Sequence, residues 1–201
     1  MEVKADLPLD LLEDLQADPL IRTYYEFNHL KHLYRQGWLQ HGVPPEVCES
    51  VAEHTFATAV LALILAETHF PELDACKVLR LALLHDFGEI YVGDLTPRDR
   101  VQAKEKQEQE RHAVQRVFAK LANGERYTHL WEEYEQGESP EARFVREVDR
   151  LEMAFQASVY RQLGQTDMED FFASAGEVVQ RQPLRKILKA LLAGGEGEQE
   201  I

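Results

Sequence analysis

Two histidines and two aspartates of this chain fall where helical spacing turns a side chain toward an apolar core. His54 shares one face of a predicted helix with the apolar residues three, seven and eleven positions later. His85 and Asp86 stand in a segment of leucines and alanines, and Asp149 stands among two valines and a methionine. Burying such groups without partners costs several kcal/mol. Each of the four side chains therefore needs a partner inside the core.

One bound cation would satisfy all four side chains at once. Taken alone, an inward histidine is more often a hydrogen-bonded core residue than a ligand, and an inward aspartate can belong to a buried ion pair. As a set, the four would each need a separate partner in an otherwise aliphatic core. We therefore predict one divalent metal ion. Imidazole and carboxylate ligands together suit several metals, so the sequence does not distinguish Mn, Co, Ni, Zn, Fe or Mg.

Glu89 continues the polar stripe that His85 and Asp86 begin. It follows His85 by four positions and Asp86 by three, so on a helix it lies one turn from both. A bound metal lowers the pKa of water, to about 7 in favourable zinc sites, and thereby produces a nucleophile. A carboxylate at this spacing is placed to accept the proton that this water loses.

The elements that must position these residues are predicted to be helices. Proline and glycine cluster at 42–45, 93–97 and 137–140, and the segments between them repeat with a period near 3.6 residues. Ser50 and Glu53 are spaced as a capping box, and Asp74 is a plausible N-cap. The predicted helices are 9–17, 21–35, 50–69, 74–92, a solvated helix over 98–122, 140–163, 168–180 and 183–193. Residues 194–201 read as a flexible polar tail.

Composition limits the class of protein. The 201 residues are 44% hydrophobic and 29% charged, which is typical of a globular domain. A net charge of −14 disfavours non-specific binding to a nucleic acid polymer, although a metal can reverse the field inside a pocket. The N-terminus lacks a signal pattern, and the longest apolar run, 56–66, is shorter than a membrane span of about 20 residues. Cys48 and Cys76 form no CxxC motif and read as ordinary reduced cysteines. Together with the missing signal pattern and the short apolar run, they predict a cytoplasmic protein without a membrane partner.

The order of these residues resembles a known family. One histidine, then an adjacent His-Asp pair, then a distant aspartate is similar to the HD superfamily of metal-dependent phosphohydrolases. The surrounding sequence resembles the branch that contains bacterial 5′-deoxynucleotidases and their eukaryotic HD-domain relatives, and the similarity extends from about residue 30 to 175. The segments that carry it are LKHLYRQGW (30–38), SVAEHT (50–55), LALLHDFGEIYVGDLTP (81–97), LWEEYEQGESPEARFV (130–145) and REVDRLEMAFQASVY (146–160).

The resemblance implies a role for each candidate residue of the metal site. The metal ligands would be His54, His85, Asp86 and Asp149. Glu89, in the pattern HDxxE, would orient or deprotonate the attacking water and would be catalytic.

The resemblance also implies how the substrate is held. Asp94, the second catalytic residue, would touch the sugar or help to protonate the leaving oxygen, while Arg35 would bind the phosphate and Trp38 the deoxyribose. In some nucleotidases the arginine and tryptophan are adjacent, whereas here two residues, 36–37, separate them. Structural alternatives stay open: Trp38 as a core or rim aromatic, Arg35 as a cation at a helix C-terminus, and Asp94 as a cap on the turn that ends its helix.

The remaining histidines bear on an alternative chemistry. HD relatives that bind two irons carry extra histidines between the His-Asp pair and the final aspartate, where this chain has His112 and His129. We expect neither to bind metal, and the same holds for His29, His32, His41 and His69.

The sequence therefore predicts a metal-dependent phosphohydrolase that removes the 5′-phosphate from (deoxy)nucleoside 5′-monophosphates. The alternatives are a mixed-valent di-iron oxygenase on the same scaffold and a non-enzymatic nucleotide sensor. The predicted architecture is all-α, a single compact HD-domain helical bundle over residues 1–193, with its core at about 21–180 and the metal at its centre. The resemblance further implies a homodimer.

Overall fold

The computed structural model describes residues 1–5, 9, 12, 17–164 and 168–193, and within these ranges the regular structure is helical apart from two isolated β-bridges. The predicted all-α class is confirmed. The helices are α1 (Pro19–Asn28), α2 (Gln36–Gln40), α3 (Val51–His69), α4 (Ala75–Leu84), α5 (Glu89–Val92), α6 (Ala103–Phe118), α7 (Gly124–Gln136), α8 (Pro140–Gln162), α9 (Glu169–Val178) and α10 (Gln182–Ala193).

The predicted helix starts are confirmed where side chains cap them. At the start of α3, Glu53 N donates to Ser50 Oγ at 3.3 Å, and Ser50 N donates to Glu53 Oε2 at 2.6 Å, which completes the capping box. At the start of α4, Lys77 N donates to Asp74 Oδ1 at 3.1 Å. The predicted helix over 140–163 corresponds to α8, and those over 168–180 and 183–193 correspond to α9 and α10.

The prediction of one helix over 21–35 is wrong. Helix α1 ends at Asn28, and a single 3-10 turn, His29–Lys31, follows it. The next residues are extended because they pair with distant segments: Leu33 forms an antiparallel bridge with Val3, and Tyr34 forms one with Ser50. These long-range pairs override the local helical period.

The prediction of one helix over 74–92 is also wrong, and the break lies at the His-Asp pair. Helix α4 ends at Leu84, and the next amides bond back by three residues instead of four, as in Phe87 N to Leu84 O at 3.1 Å. The indole of Trp131 donates to the carbonyl of His85 at 3.0 Å, so a side chain from α7 satisfies a carbonyl that a continuous helix would use. The chain then resumes as α5 at Glu89.

The charged segment 98–122 holds a shorter helix than predicted, and α7 was not predicted at all. Helix α6 covers only Ala103–Phe118. Helix α7 buries Leu130, Trp131 and Tyr134 on one face. The predicted helix over 9–17 and the tail at 194–201 fall almost wholly outside the described residues.

The core lies where α3, α4 and α8 pack against one another, with α7 against α4 and α8 and with α9 and α10 on α8. Helix α3, at 19 residues with a mean hydropathy of 1.3, is long and apolar enough to cross a membrane by length and composition alone. The apolar run at 56–66 is shorter than this helix, because α3 also includes the turns on either side of the run. The core helix of a globular domain passes the same test, and α3 buries its own inner face against α4 and α8.

Candidate metal centre

Three different parts of the chain bring the four predicted ligands to one place. His54 lies in the first turns of α3, His85 and Asp86 lie in the break after α4, and Asp149 lies in the middle of α8. All four side chains are buried or nearly so. The ligand atoms of His54, His85 and Asp149 lie within 4.8 Å of one another, as donors to one metal ion must.

The distances among the four side chains define a common centre. His54 Nε2 lies 3.1 Å from Asp149 Oδ1 and 3.4 Å from His85 Nε2. Asp86 Oδ2 lies 3.2 Å from His85 Nε2 and 3.7 Å from His54 Nε2. Two ring nitrogens and two carboxylates therefore face the same point.

The outer nitrogens of both imidazole rings already have partners. His85 Nδ1 lies 2.7 Å from the carbonyl of Ala82, which can only accept, so this nitrogen carries a proton and Nε2 of the neutral ring has a free lone pair. His54 Nδ1 lies 2.6 Å from Glu152 Oε2. If both rings were neutral with the proton on Nδ1, the two Nε2 lone pairs would face each other beside carboxylates and repel, and either a proton or a metal cation between them removes that repulsion. Asp86 Oδ2 is buried and, among the described residues, forms no hydrogen bond, so the donor set fits a divalent metal.

The protonation equilibria of the cluster follow the same logic. Burial disfavours the charged form of Asp149, but the hydrogen bond with His54 and the charge of Arg150 outweigh it and lower the pKa of Asp149 below its usual range. Burial and the charge of Arg35 oppose protonation of His54, but its hydrogen bonds to Asp149 and Glu152 outweigh them and raise the pKa of His54. Without a metal, a proton on His54 therefore supplies the positive charge that the cluster requires.

Arg35 points its guanidinium into the same site. Its Nη1 lies 3.2 Å from Asp94 Oδ1, 3.7 Å from Asp86 Oδ2 and 3.8 Å from Glu89 Oε1. Arg35 precedes α2, so the alternative of a cation at a helix C-terminus is wrong. Asp94 also accepts a hydrogen bond from Gln36 N at 2.5 Å, and it thereby holds the turn that carries Arg35 instead of capping its own helix.

Glu89 is a buried carboxyl group in a crowded acidic environment. Burial and the neighbouring charges of Asp86 and Asp94 raise the pKa of Glu89 well above its usual value. Its Oε2 is buried and forms no hydrogen bond within the described part of the chain. A carboxyl group of this kind binds a proton readily, as a general base requires.

Trp38 lies in the hydrophobic core, with only 2% of its surface exposed. Its ring centroid is 4.0 Å from that of Phe171 and 5.1 Å from that of Tyr160, and Nε1 donates to Glu49 Oε1 at 2.8 Å. The alternative of a core aromatic agrees with this burial, and the predicted contact with deoxyribose stays a prediction.

Three residues that contact the ligands were not singled out from the sequence. Glu152 bonds to His54, the hydroxyl of Tyr134 donates to Asp149 Oδ2 at 3.4 Å, and Trp131 binds the carbonyl of His85. The signal for Glu152 was available, since it follows Asp149 by three residues on one helix face. Trp131 and Tyr134 share one buried face of α7, so they could have been singled out only if α7 had been predicted as a helix.

The two histidines that bear on the di-iron alternative lie away from this centre. His112 and His129 are both exposed, and His129 Nδ1 is engaged with the carbonyl of Glu125 at 2.7 Å.

Comparison with known proteins decides the family. The profile of the family described as HD domain matches residues 27–190, which is most of the chain. The chain belongs to the HD-domain family. The protein named 5′-deoxynucleotidase HDDC2 from Bos taurus is 38% identical over 171 residues, and the match covers 83% of this chain and 81% of that protein.

Solved structures agree with this assignment to the HD-domain family. A conserved hypothetical protein from Pyrococcus furiosus superposes with a TM-score of 0.73 at 30% identity, over 86% of this chain and 99% of that one. A protein described as a predicted metal-dependent phosphohydrolase from Magnetospirillum magnetotacticum gives a TM-score of 0.66 at 27% identity, over 89% and 94% of the two chains.

Proposed function

We propose that this HD-domain protein is a metal-dependent phosphomonoesterase that removes the 5′-phosphate from deoxynucleoside 5′-monophosphates. The observation that carries the proposal is the buried centre in which His54, His85, Asp86 and Asp149 face one point beside Glu89. The name 5′-deoxynucleotidase, given to relatives that cover most of this chain, supports the substrate class.

A divalent cation held by the four ligands would polarise the phosphate and lower the pKa of the attacking water. The guanidinium of Arg35 has a planar fork that matches phosphate oxygens, and Asp94 holds that guanidinium in place. Glu89, with its raised pKa, accepts the proton of the water as its oxygen attacks phosphorus. The bond between phosphorus and the 5′-oxygen breaks, and the proton that Glu89 took from the water is returned to the leaving oxygen. Asp94, which accepts from Arg35 and Gln36 N, would help this transfer by holding the phosphate-binding guanidinium beside the leaving group.

Phosphate release from metal-stripped protein tests the proposal. Deoxy- and ribonucleoside 5′-monophosphates would be assayed with Mn, Co, Ni, Zn and Mg, with Asp149→Ala measured in parallel. We expect release that depends on added metal and that Asp149→Ala lacks. If no nucleotide releases phosphate with any of these metals, the proposal is wrong.

Glu89→Gln separates an enzyme from a nucleotide sensor. The amide keeps the shape of the side chain but cannot accept the proton, so the variant should bind metal and nucleotide while losing turnover. Unchanged turnover in Glu89→Gln would remove this residue from the mechanism. Since His112 and His129 are exposed, no observation favours the di-iron oxygenase.

We also propose a homodimer, with the outer face of α3 as its contact surface. Phe56, Val60 and Ile64 repeat every four residues along that face, and their exposures are 69%, 40% and 55%. Sedimentation of the native chain beside Phe56→Glu and Ile64→Glu tests this, because a charge on each side of the contact should produce a monomer. A native chain that sediments as a monomer at all concentrations would contradict it. The cytoplasmic location stays a prediction.

A further inference from the structure

Glu152 lies directly behind one of the predicted metal ligands. It is on α8, three residues after Asp149, and is 4% exposed. Its Oε2 lies 2.6 Å from Nδ1 of His54, while the other ring nitrogen of His54 faces Asp149. The imidazole therefore lies between two carboxylates that come from the same helix.

The contact between Glu152 and His54 is a hydrogen bond and not a shared metal site. Glu49, His54 and Glu152 also place three possible ligand atoms within 4.8 Å of one another. Two donors on one metal at about 2.0–2.2 Å each would lie roughly 3 Å apart, whereas 2.6 Å is the length of a short charge-assisted hydrogen bond. The Oε1 of Glu49 moreover accepts a hydrogen bond from Trp38 Nε1 at 2.8 Å.

A carboxylate in this position determines which nitrogen of His54 can bind a metal. It only accepts, so it keeps the proton on Nδ1 and leaves the lone pair of Nε2 directed at the centre. The second histidine is held in the same way, since Nδ1 of His85 donates to the carbonyl of Ala82 at 2.7 Å. That carbonyl belongs to the backbone and cannot be changed by substitution, whereas Glu152 can.

We propose that Glu152 is a positioning residue that fixes the tautomer and the ring plane of His54 for metal binding. This inference rests on the metal site proposed above. A buried outer partner of a ligating histidine typically contributes about 10–100-fold to metal affinity.

Metal titration of the apoprotein, which does not depend on turnover, tests the role of Glu152. Glu152→Leu removes the acceptor, Glu152→Gln keeps an acceptor oxygen, and Glu147→Gln is the matched control. Glu147 is a buried glutamate on the same helix whose carboxylate binds Gln180 N at 2.7 Å and Arg181 N at 2.9 Å. We expect Glu152→Leu to bind Zn about 10–100-fold more weakly, Glu152→Gln to recover part of that loss, and Glu147→Gln to bind as the native chain does.

A spectroscopic signature separates positioning from a general loss of structure. In the Zn-loaded native chain, the Nδ1 proton of His54 should give a downfield resonance typical of a hydrogen bond to a carboxylate. This resonance should move upfield in Glu152→Gln. The measurement on Glu152→Gln also tests the proposal if Glu152→Leu does not fold.

Each remaining outcome overturns the proposal. Native affinity in Glu152→Leu, an unmoved resonance in Glu152→Gln, or equal losses in all three variants would show that Glu152 does not position His54. If the native chain binds no metal, the inference fails together with the proposed function. Native binding with unchanged variants overturns the inference alone.

Discussion

Gly88 allows α6 to pack against the segment that carries the His-Asp pair. Its backbone angles, φ −58° and ψ −33°, are ordinary helical values, so the position has no conformational need for glycine. The need is spatial, because a methyl group added there would lie 2.5 Å from Cβ of Glu110, 2.8 Å from its Cγ and 3.1 Å from its Cα. Because the last of these atoms belongs to the backbone of α6, rotation of the Glu110 side chain cannot relieve the overlap.

The size of the effect of Gly88→Ala follows from these distances. Carbon atoms pack at about 3.5–4.0 Å, so α6 must move away by roughly 1 Å. Overpacking of this kind lowers the free energy of unfolding by about 1–3 kcal/mol. Replacing glycine by alanine in a helix also stabilises by about 0.5–1 kcal/mol, and this gain must be separated from the loss.

Gly176→Ala separates the two contributions. Gly176 lies inside α9, and within the described part of the chain no atom lies within 4 Å of an added methyl group. The variant should therefore show the helical gain alone. The free energy of unfolding of Gly88→Ala should be about 1–3 kcal/mol lower than that of Gly176→Ala, which for a domain of this size lowers the midpoint by about 2–12 °C.

The assay is thermal unfolding of the metal-free variants followed by circular dichroism. Their metal affinities complete the test, because displacement of α6 also moves Gly88 and the adjacent Glu89. A midpoint for Gly88→Ala equal to or above that of Gly176→Ala would refute the close approach of α6 to this segment.

Three further substitutions test individual contacts. Burial raises the pKa of Glu110 to about 7 from 4.5, so the folded state holds this proton more tightly than the unfolded chain and stability falls as pH rises between these values. Glu110→Gln loses this dependence on pH, so its unfolding midpoint should rise relative to that of the native metal-free chain as the pH is raised from about 5 to about 8. A midpoint difference that stays constant over this range would contradict the raised pKa. Trp38→Phe leaves the Oε1 of Glu49 without its indole donor, which should lower the free energy of unfolding by about 1–3 kcal/mol. The ratio of kcat/KM for deoxy- over ribonucleotides in this variant tests the predicted contact with deoxyribose. A changed ratio would assign Trp38 to the sugar. Tyr134→Phe removes a donor to Asp149, and we expect metal binding to weaken by a few fold, at about 0.5–1.5 kcal/mol, in calorimetric titration.

That the four proposed ligands are buried could be predicted, because helical spacing determines which side chains face the core. His54 and Asp149 interrupt apolar stripes on α3 and α8, and such an interruption needs a partner wherever the helices are placed. The starts of α3 and α4 could also be predicted, because Ser50 and Asp74 cap them through local hydrogen bonds. In each case the information lies within a few residues of the feature.

The features that could not be predicted depend on distant parts of the chain. The break between α4 and α5 involves the indole of Trp131, which is 46 residues from the carbonyl that it binds. The early end of α1 depends on pairing between residues 3 and 33. Neither interaction leaves a mark in the periodicity of the segment that it reshapes, so the period alone predicted helices that are too long.

The segment around Arg35 and Trp38 shows how one short turn serves both the core and the metal centre. Three residues apart across the start of α2, Arg35 faces the carboxylates of the metal centre and Trp38 packs in the core. Trp38 anchors α2 in the core, and Asp94 accepts a hydrogen bond from Gln36 N at the start of α2. The guanidinium of Arg35 is therefore already held in place, so little conformational entropy is lost when an anion binds to it. Under the proposed function, a chain of net charge −14 would thus bind a phosphate, because a fixed Arg35 and a bound divalent ion would set the local field inside the fold.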